Sequence, residues 1–357
     1  MGLRRFIATT FVILFVPTLI LFRHIDQVHE QKRLRDSGTT QWSEKRGDSV
    51  LEPSLKLHLE ARRRVIRSSG INIYGRGSEG NSADTVVNGP SHVSSKKRYT
   101  LEDLRKLFRH QSKKCPFRTK FNFSEVPLPK TALASFPGSG NTWLRHLLQQ
   151  ATGLYTGSIY CDDTLQNAGL GECLTNLTDR VLVEKVHEPN YRGYDRVVLL
   201  VRNPFDAIRS FFNYKFAGHK KALDRVPYQS KVWFSHVDES ILDWKNTVVG
   251  WLQHFPSKDI HVISYENLLH DTVGELQDAL TFLGMPVSPR ILWCTFLNRH
   301  GRFKRLKKAA LSTESLYPAG AKTVISAHFL EVVELLRNSF PQRQFTVQNF
   351  MQKSSLI

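Results

Sequence analysis

Between residues 131 and 339 short, mainly apolar runs alternate with longer stretches whose apolar positions recur every three or four residues. The runs Ala132–Phe136, Val181–Val186, Val197–Val201 and Ile260–Ser264 are of strand length. Apart from Glu184, Lys185 and His261 they carry no titratable side chain, as expected of strands covered on both sides. The stretches Asn141–Thr152, Pro204–Phe216, Asp238–His254, Thr272–Leu283 and Thr323–Ser339 predict amphipathic helices. In the first, Trp143, Leu144, Leu147 and Leu148 form the apolar side. Buried strands spaced by helices predict an α/β domain, a central parallel sheet with helices on both faces. Order is expected to begin at Thr100–Asp103, a capping-box-like start followed by Leu104, Leu107 and Phe108 on one face.

The pattern before residue 99 is different. Phe6–Phe22 is a run of 17 uncharged residues between Arg4-Arg5 and Arg23-His24. That length is near the short limit for spanning a bilayer. The segment after it, FRHIDQVHEQ, offers no small residues for signal cleavage, so an uncleaved signal-anchor with a cytoplasmic N-terminus is expected. Phe6 stands where myristoylation at Gly2 would want Ser or Thr. The polar, Gly/Ser/Asn-rich stretch that follows predicts a disordered stem, with a short helix over 54–67. Its run Arg62–Arg67 reads either as a processing site or as solvated charge. The expected layout is a cytoplasmic tail over 1–5, a transmembrane helix over 6–22, a stem over 23–98, a folded domain over 99–345 and a C-terminal tail over 346–357.

Charge follows the same division. Of the net +18, residues 1–114 carry +11 and residues 115–357 carry +7. A basic balance suits nucleic acid, a membrane surface or anionic substrates, and by itself selects none of them. If the anchor sets the topology, everything after residue 23 is lumenal. The sequons Asn122-Phe123-Ser124 and Asn176-Leu177-Thr178 fit that side of a membrane. So do four cysteines, which allow three pairings; Cys161 with Cys173 closes a short loop and leaves Cys115 with Cys294. No C-x-x-C or Cys/His spacing suggests a metal site.

Three places at predicted strand ends carry candidate chemistry. The first is the turn Pro137-Gly138-Ser139-Gly140-Asn141-Thr142 ahead of a helix. Its glycines let backbone N–H groups close on an anion, to which the helix dipole adds attraction. Asn141 stands where an ATP- or GTP-binding loop needs lysine, which argues against a nucleotide kinase. The second is Lys185-Val186-His187, whose outer two residues point the same way if extended. The lysine can neutralise an anion and the histidine can take a proton near neutral pH. Glu184 and Glu188 flank His187 as alternative bases. The third is Arg202-Asn203-Pro204 at the end of a very apolar strand, with Ser210 facing back from the second helical turn. An arginine there is costly without an anion to bind.

With those three motifs in order, the chain resembles the sulfotransferase superfamily from about residue 131 to 339. The resemblance implies a P-loop-type fold and 3′-phosphoadenosine 5′-phosphosulfate as donor, with no metal. Ser135–Trp143 then resembles the 5′-phosphosulfate loop, Trp143 being the adenine contact. His187 is similar to the family's general base, and Arg202 with Ser210 to its 3′-phosphate pair. Tyr265-Glu266 and Thr295-Phe296 resemble further donor-binding segments, and Arg299-His300-Gly301 echoes a closing motif. LASFPGSGNTWLRHLLQQATG is similar in more detail to WSC-domain-containing sulfotransferases, although the stem lacks those cysteine-rich modules. That likeness implies a single-pass type II Golgi membrane protein acting on a glycan, sialic acid above all, with no nucleic-acid partner. Most members place Lys or Arg where this chain has Gly138. Lys185 and Arg145 are the candidates to replace that cation, and Arg145→Ala is expected to lower turnover more than donor affinity. A degenerate protein that binds donor or anionic glycan without turnover is the other reading. The basic run Arg302–Arg305 with Lys307 and Lys308 reads either as a lid over the donor or as a solvated loop. His219, Lys220 and Lys221 read as a plain exposed loop, and Trp233, Trp244, Trp251 and Trp293 as packing.

Overall fold

The structure, a computed structural model, describes residues 97–109, 115–174, 179–191, 193–219, 221–302, 313–343 and 345–351. The expected anchor (6–22), the run Arg62–Arg67, Asn176, Lys220, and the basic residues from Phe303 to Lys308 lie outside them. Among the described residues no helix is long and apolar enough to cross a membrane.

Order starts as the capping signature predicts. The Thr100 hydroxyl accepts from the Asp103 N–H while the Asp103 carboxylate accepts from the Thr100 N–H, opening α1 (Leu101–Phe108). The elements that follow are β1 (Thr131–Ala134), α2 (Asn141–Thr152), β2 (Gly157–Ser158), α3 (Asp163–Gln166), β3 (Glu184–Val186) and β4 (Arg196–Val201). Then come α4 (Pro204–Ala217), α5 (Lys231–His254), β5 (Ile260–Ser264), α6 (Tyr265–His270), α7 (Thr272–Phe282), α8 (Pro289–Leu297), α9 (Ala319–Ser339) and α10 (Val347–Met351).

The five strands form one sheet in the order β2-β3-β1-β4-β5, every pair parallel. The pleat sends alternate residues to two separate cores. Ala132, Ala134, Val197, Leu199 and Val201 join the core that contains α4, α5 and α9. Leu133, Val198, Leu200 and Ile263 join the one that contains α2, α7 and α8. The first crossover helix and the helix after β4 therefore cover opposite faces. The carboxyl ends of β1, β3 and β4, where ligands of such sheets bind, lie between these two helices.

Several bounds differ from the sequence pattern. β3 is confined to Glu184–Val186, because its neighbour β2 is only two residues long; Val181–Val183 are buried but paired from loops, as in Leu182 N–H to the Tyr155 carbonyl. α5 starts seven residues before the predicted Asp238, where the Ser230 hydroxyl caps it by accepting from the Trp233 N–H. Both disulfides, Cys161–Cys173 and Cys115–Cys294, are the expected ones. Trp233, Trp244 and Trp251 are buried to 1% exposure or less, and Trp293 to 8%, so all four are core residues. Packing reaches from Arg98, paired with Asp271 and Asp278, to Phe350, buried against Phe329.

Candidate active site

The loop after β1 owes its shape to two glycines. Gly138 has φ +86°, and a Cβ there would meet the Ala207 carbonyl oxygen at 2.4 Å and the Phe211 nitrogen at 2.7 Å. The loop thus lies directly on the α4 backbone, which explains the missing cation: no side chain fits at 138. Gly140, at φ +100°, is the N-cap of α2 and brings no side-chain oxygen to its first turn. A Cβ at 140 would meet the Tyr265 ring at 2.6 Å. Asn141 turns inward instead, its amide donating to the Leu133 carbonyl and the Ser135 hydroxyl. That ties the helix start to the strand end. Ser139 is buried, and its hydroxyl has no partner among the described residues. Pro137 and Thr142 are partly buried beside it.

Arg202, one residue past β4, donates to the Gly138 carbonyl at 2.8 Å and stacks its guanidinium 4.1 Å from the Tyr265 ring centroid. Its Nε is buried without a partner among the described residues. Ser210 lies two turns along α4, its Cβ 3.2 Å from where a Gly138 Cβ would stand. Glu266 sits beneath, accepting from the Asn203 N–H and the Ser264 hydroxyl. Burial pushes its carboxyl up to about 7 in spite of the Arg202 charge and those hydrogen bonds.

Beyond β3, His187 Nδ1 lies 2.8 Å from the Ser135 carbonyl. A carbonyl only accepts, so in the neutral ring Nδ1 carries the proton and Nε2 the lone pair, the tautomer a base needs. Lys185 is buried on the same strand, its ammonium 5.2 Å from the Tyr160 ring centroid. Burial pulls the ammonium down, offset in part by Glu172. Of the alternative bases, Glu184 is buried and accepts from the Tyr194 hydroxyl at 2.6 Å. Its neighbour Val186 points into the α4–α5–α9 core, away from the Lys185 side. Glu188 accepts from the Tyr160 hydroxyl.

Arg145 does not join this group. It is fully buried, and its guanidinium donates to Glu172, to the Thr156 hydroxyl and carbonyl, and to the Gly171 carbonyl. Every nitrogen already has a protein acceptor, so the leaving-group role considered for it falls away and Lys185 remains. On the side of α2, the Trp143 indole donates to the Arg299 carbonyl at 2.7 Å and meets Tyr265 edge-on at 5.6 Å. That bond brings the end of α8 against the first turn of α2. Thr295 there is buried with an unpartnered hydroxyl among the described residues, and Phe296 stacks under the Arg299 guanidinium.

Three features were not legible in the chain. Tyr160 and Glu172 both flank the Cys161–Cys173 loop, and only the disulfide spacing hinted at them. His219 is not a plain exposed residue, since it pairs with Asp162 at 2.8 Å. Asn122 is exposed, with its backbone bridged to Leu154. Among the described residues no group of three or more His, Cys, Asp and Glu is placed to hold a metal ion.

Comparison with known proteins matches residues 174–332 to the sulfotransferase domain family. The match takes in Lys185, His187, Arg202 and Ser210 and begins after the glycine loop. The chain is 37% identical over 196 residues to a WSCD family member of Aedes aegypti, covering 53% of this chain and 61% of that one. It is 40% identical over 185 residues to a WSCD family member of Drosophila pseudoobscura pseudoobscura, covering 50% of this chain and 58% of that one. The chain thus spans somewhat under two thirds of the relatives it matches. Mouse sulfotransferase SULT7A1, crystallised with PAP, aligns with a TM-score of 0.36 at 16% identity, over 62% of this chain and 87% of that one. The domain match makes the chain similar to sulfotransferase domains over somewhat under half of its length.

Proposed function

We propose that this chain transfers a sulfuryl group from 3′-phosphoadenosine 5′-phosphosulfate to a glycan hydroxyl, sialic acid being the expected acceptor. We place it as a single-pass type II protein of the Golgi membrane, with residues 99–345 as the lumenal catalytic domain and Asn122 and Asn176 as glycan carriers. The observation that supports the reaction most is the meeting of three strand ends. The glycine loop, the Lys185–His187 pair and Arg202 all stand at the carboxyl end of the sheet, with Arg202 bonded to the loop and His187 Nδ1 2.8 Å from the Ser135 carbonyl. The buried, unpartnered Ser139 hydroxyl, Arg202 Nε and Thr295 hydroxyl fit a ligand rich in phosphate oxygens. A buried polar atom left alone costs ~1–3 kcal/mol, which such a ligand would offset.

The donor supplies a sulfuryl group already activated by a phosphate leaving group. In this chain the N–H groups around Gly138–Thr142 and the dipole of α2 hold anionic oxygens. Arg202 and Ser210 take the 3′-phosphate, while Tyr265, Trp143, Thr295 and Phe296 border the nucleotide. Lys185 keeps positive charge where negative charge develops, and His187 Nε2 removes the proton of the attacking hydroxyl.

The test incubates the full chain with radiolabelled sulfate donor and glycoproteins, with and without sialidase. Label confined to sialylated acceptors supports both halves of the proposal. Label that survives sialidase keeps the reaction and removes sialic acid. Donor binding without transfer leaves the degenerate reading in its place.

A further inference from the structure

The two reactive groups share a neighbour that the resemblance does not supply. β2 and β3 run parallel in register, with Ser158 opposite Lys185. Two residues past that pair, beyond the ends of both strands, stand Tyr160 and His187. The Tyr160 hydroxyl accepts from the His187 N–H at 2.8 Å, and its ring stacks on the imidazole with centroids 5.4 Å apart. The same ring carries the Lys185 ammonium 5.2 Å from its centroid. Tyr160 in turn is held from three sides. Its N–H donates to the Ser158 hydroxyl, its carbonyl accepts from the Cys173 N–H, and its own hydroxyl donates to Glu188 at 3.3 Å. Cys161, the next residue, is bonded to Cys173, which ties the two ends of the loop together, and the Leu174 N–H donates to the Ser158 carbonyl of β2.

We infer that Tyr160 is the positioning residue of this site: one aromatic ring, pinned by the Cys161–Cys173 loop, sets both the base His187 and the cation Lys185. For its catalytic consequence the inference rests on the sulfuryl-transfer reading; for its structural content it does not. The phenol stays protonated, because burial and the Glu188 charge raise it well above its ordinary value. It therefore keeps donating to Glu188. A residue that acts this way changes turnover while leaving donor binding nearly intact, since the contacts described for it run to His187, Lys185, Glu188, Ser158 and Cys173 rather than to the glycine loop or Arg202.

The experiment compares the full-length chain with Tyr160→Phe and Tyr160→Leu. Hydrogen exchange at the His187 amide and at its imidazole carbon is read by mass spectrometry, with His146 as the internal control. The phenylalanine keeps the ring and loses the acceptor, so its expected signature is faster amide exchange at His187 alone. The leucine loses the ring as well, and both sites are expected to exchange faster while His146 does not change. If His146 also speeds up, the leucine variant has loosened the fold and the phenylalanine variant decides. Unchanged exchange at His187 in the phenylalanine variant overturns the inference. Turnover is measured beside it: kcat is expected to fall about tenfold or more with donor KM within about twofold. In a His187→Ala background the Tyr160→Phe loss is expected to vanish; losses that simply add would show that Tyr160 does not act through His187. A wild-type chain that transfers nothing defeats the sulfotransferase reading, and the exchange data still judge Tyr160.

Discussion

Arg145 and Arg202 are both drawn into the domain, and their surroundings differ in one respect. Arg145 has an acceptor for each of its nitrogens and a carboxylate partner, Glu172, as buried as itself. Arg202 has, among the described residues, one carbonyl, an aromatic face and an unpartnered buried Nε. The first arrangement is closed, and it holds the segment bearing Thr156, Gly171 and Glu172 against α2. The second is open toward an anion that the described residues do not provide. A buried cation thus reports on function only through what is missing around it.

The largest expected effect separates the two arginines most sharply. Arg145→Ala leaves Glu172 buried without its salt bridge, and it is expected to cost ~3–5 kcal/mol of stability in a denaturant titration. An intact midpoint with lowered turnover would return Arg145 to the chemistry. Next comes the carboxylate beside Arg202. The Glu266 carboxyl is raised to about 7 from 4.5, so the folded state holds that proton more tightly than the unfolded chain. The stability present below about pH 4.5 is therefore lost as pH rises toward 7, by about 3 kcal/mol, and Glu266→Gln is expected to flatten that slope. An equally steep slope in the variant would assign it to another group.

Arg202→Ala is expected to weaken adenosine 3′,5′-bisphosphate binding by ~1.5–3 kcal/mol in calorimetry, with far less effect on folding than Arg145→Ala. Equal losses of stability in the two variants would erase the distinction. The smallest effect supplies a baseline. Arg98 pairs with Asp271 and Asp278 in half-exposed surroundings. Arg98→Ala is expected to cost no more than ~1 kcal/mol.

What the chain disclosed in advance follows from how local each signal is. β1, β4 and β5 were legible because sheets covered on both faces leave long apolar runs. β2 was not, since Gly157-Ser158 is two small residues. The start of α1 was written in Thr100 and Asp103, three residues apart, whereas α6 and α8 are short and lean on neighbours for their apolar cover. At the site, the loop, Lys185, His187 and Arg202 lie at strand ends and could be read from that placement. The role of Arg145 could not, because its partners Thr156, Gly171 and Glu172 come from a separate segment up to 27 residues further along the chain. Tyr160 was hidden for the same reason, its register with β3 arising only in the folded sheet.

Gly138 has a consequence for the routes by which this protein can change. The space a side chain would need is taken by the main chain of α4, at Ala207 and Phe211, and main chain cannot be trimmed by mutation. No single codon change can install a lysine in the loop; the helix would have to retreat first, and such a retreat has no advantage until the lysine arrives. An engineer who wishes to place a side chain there has to redesign the Ala207–Phe211 turn and residue 138 together.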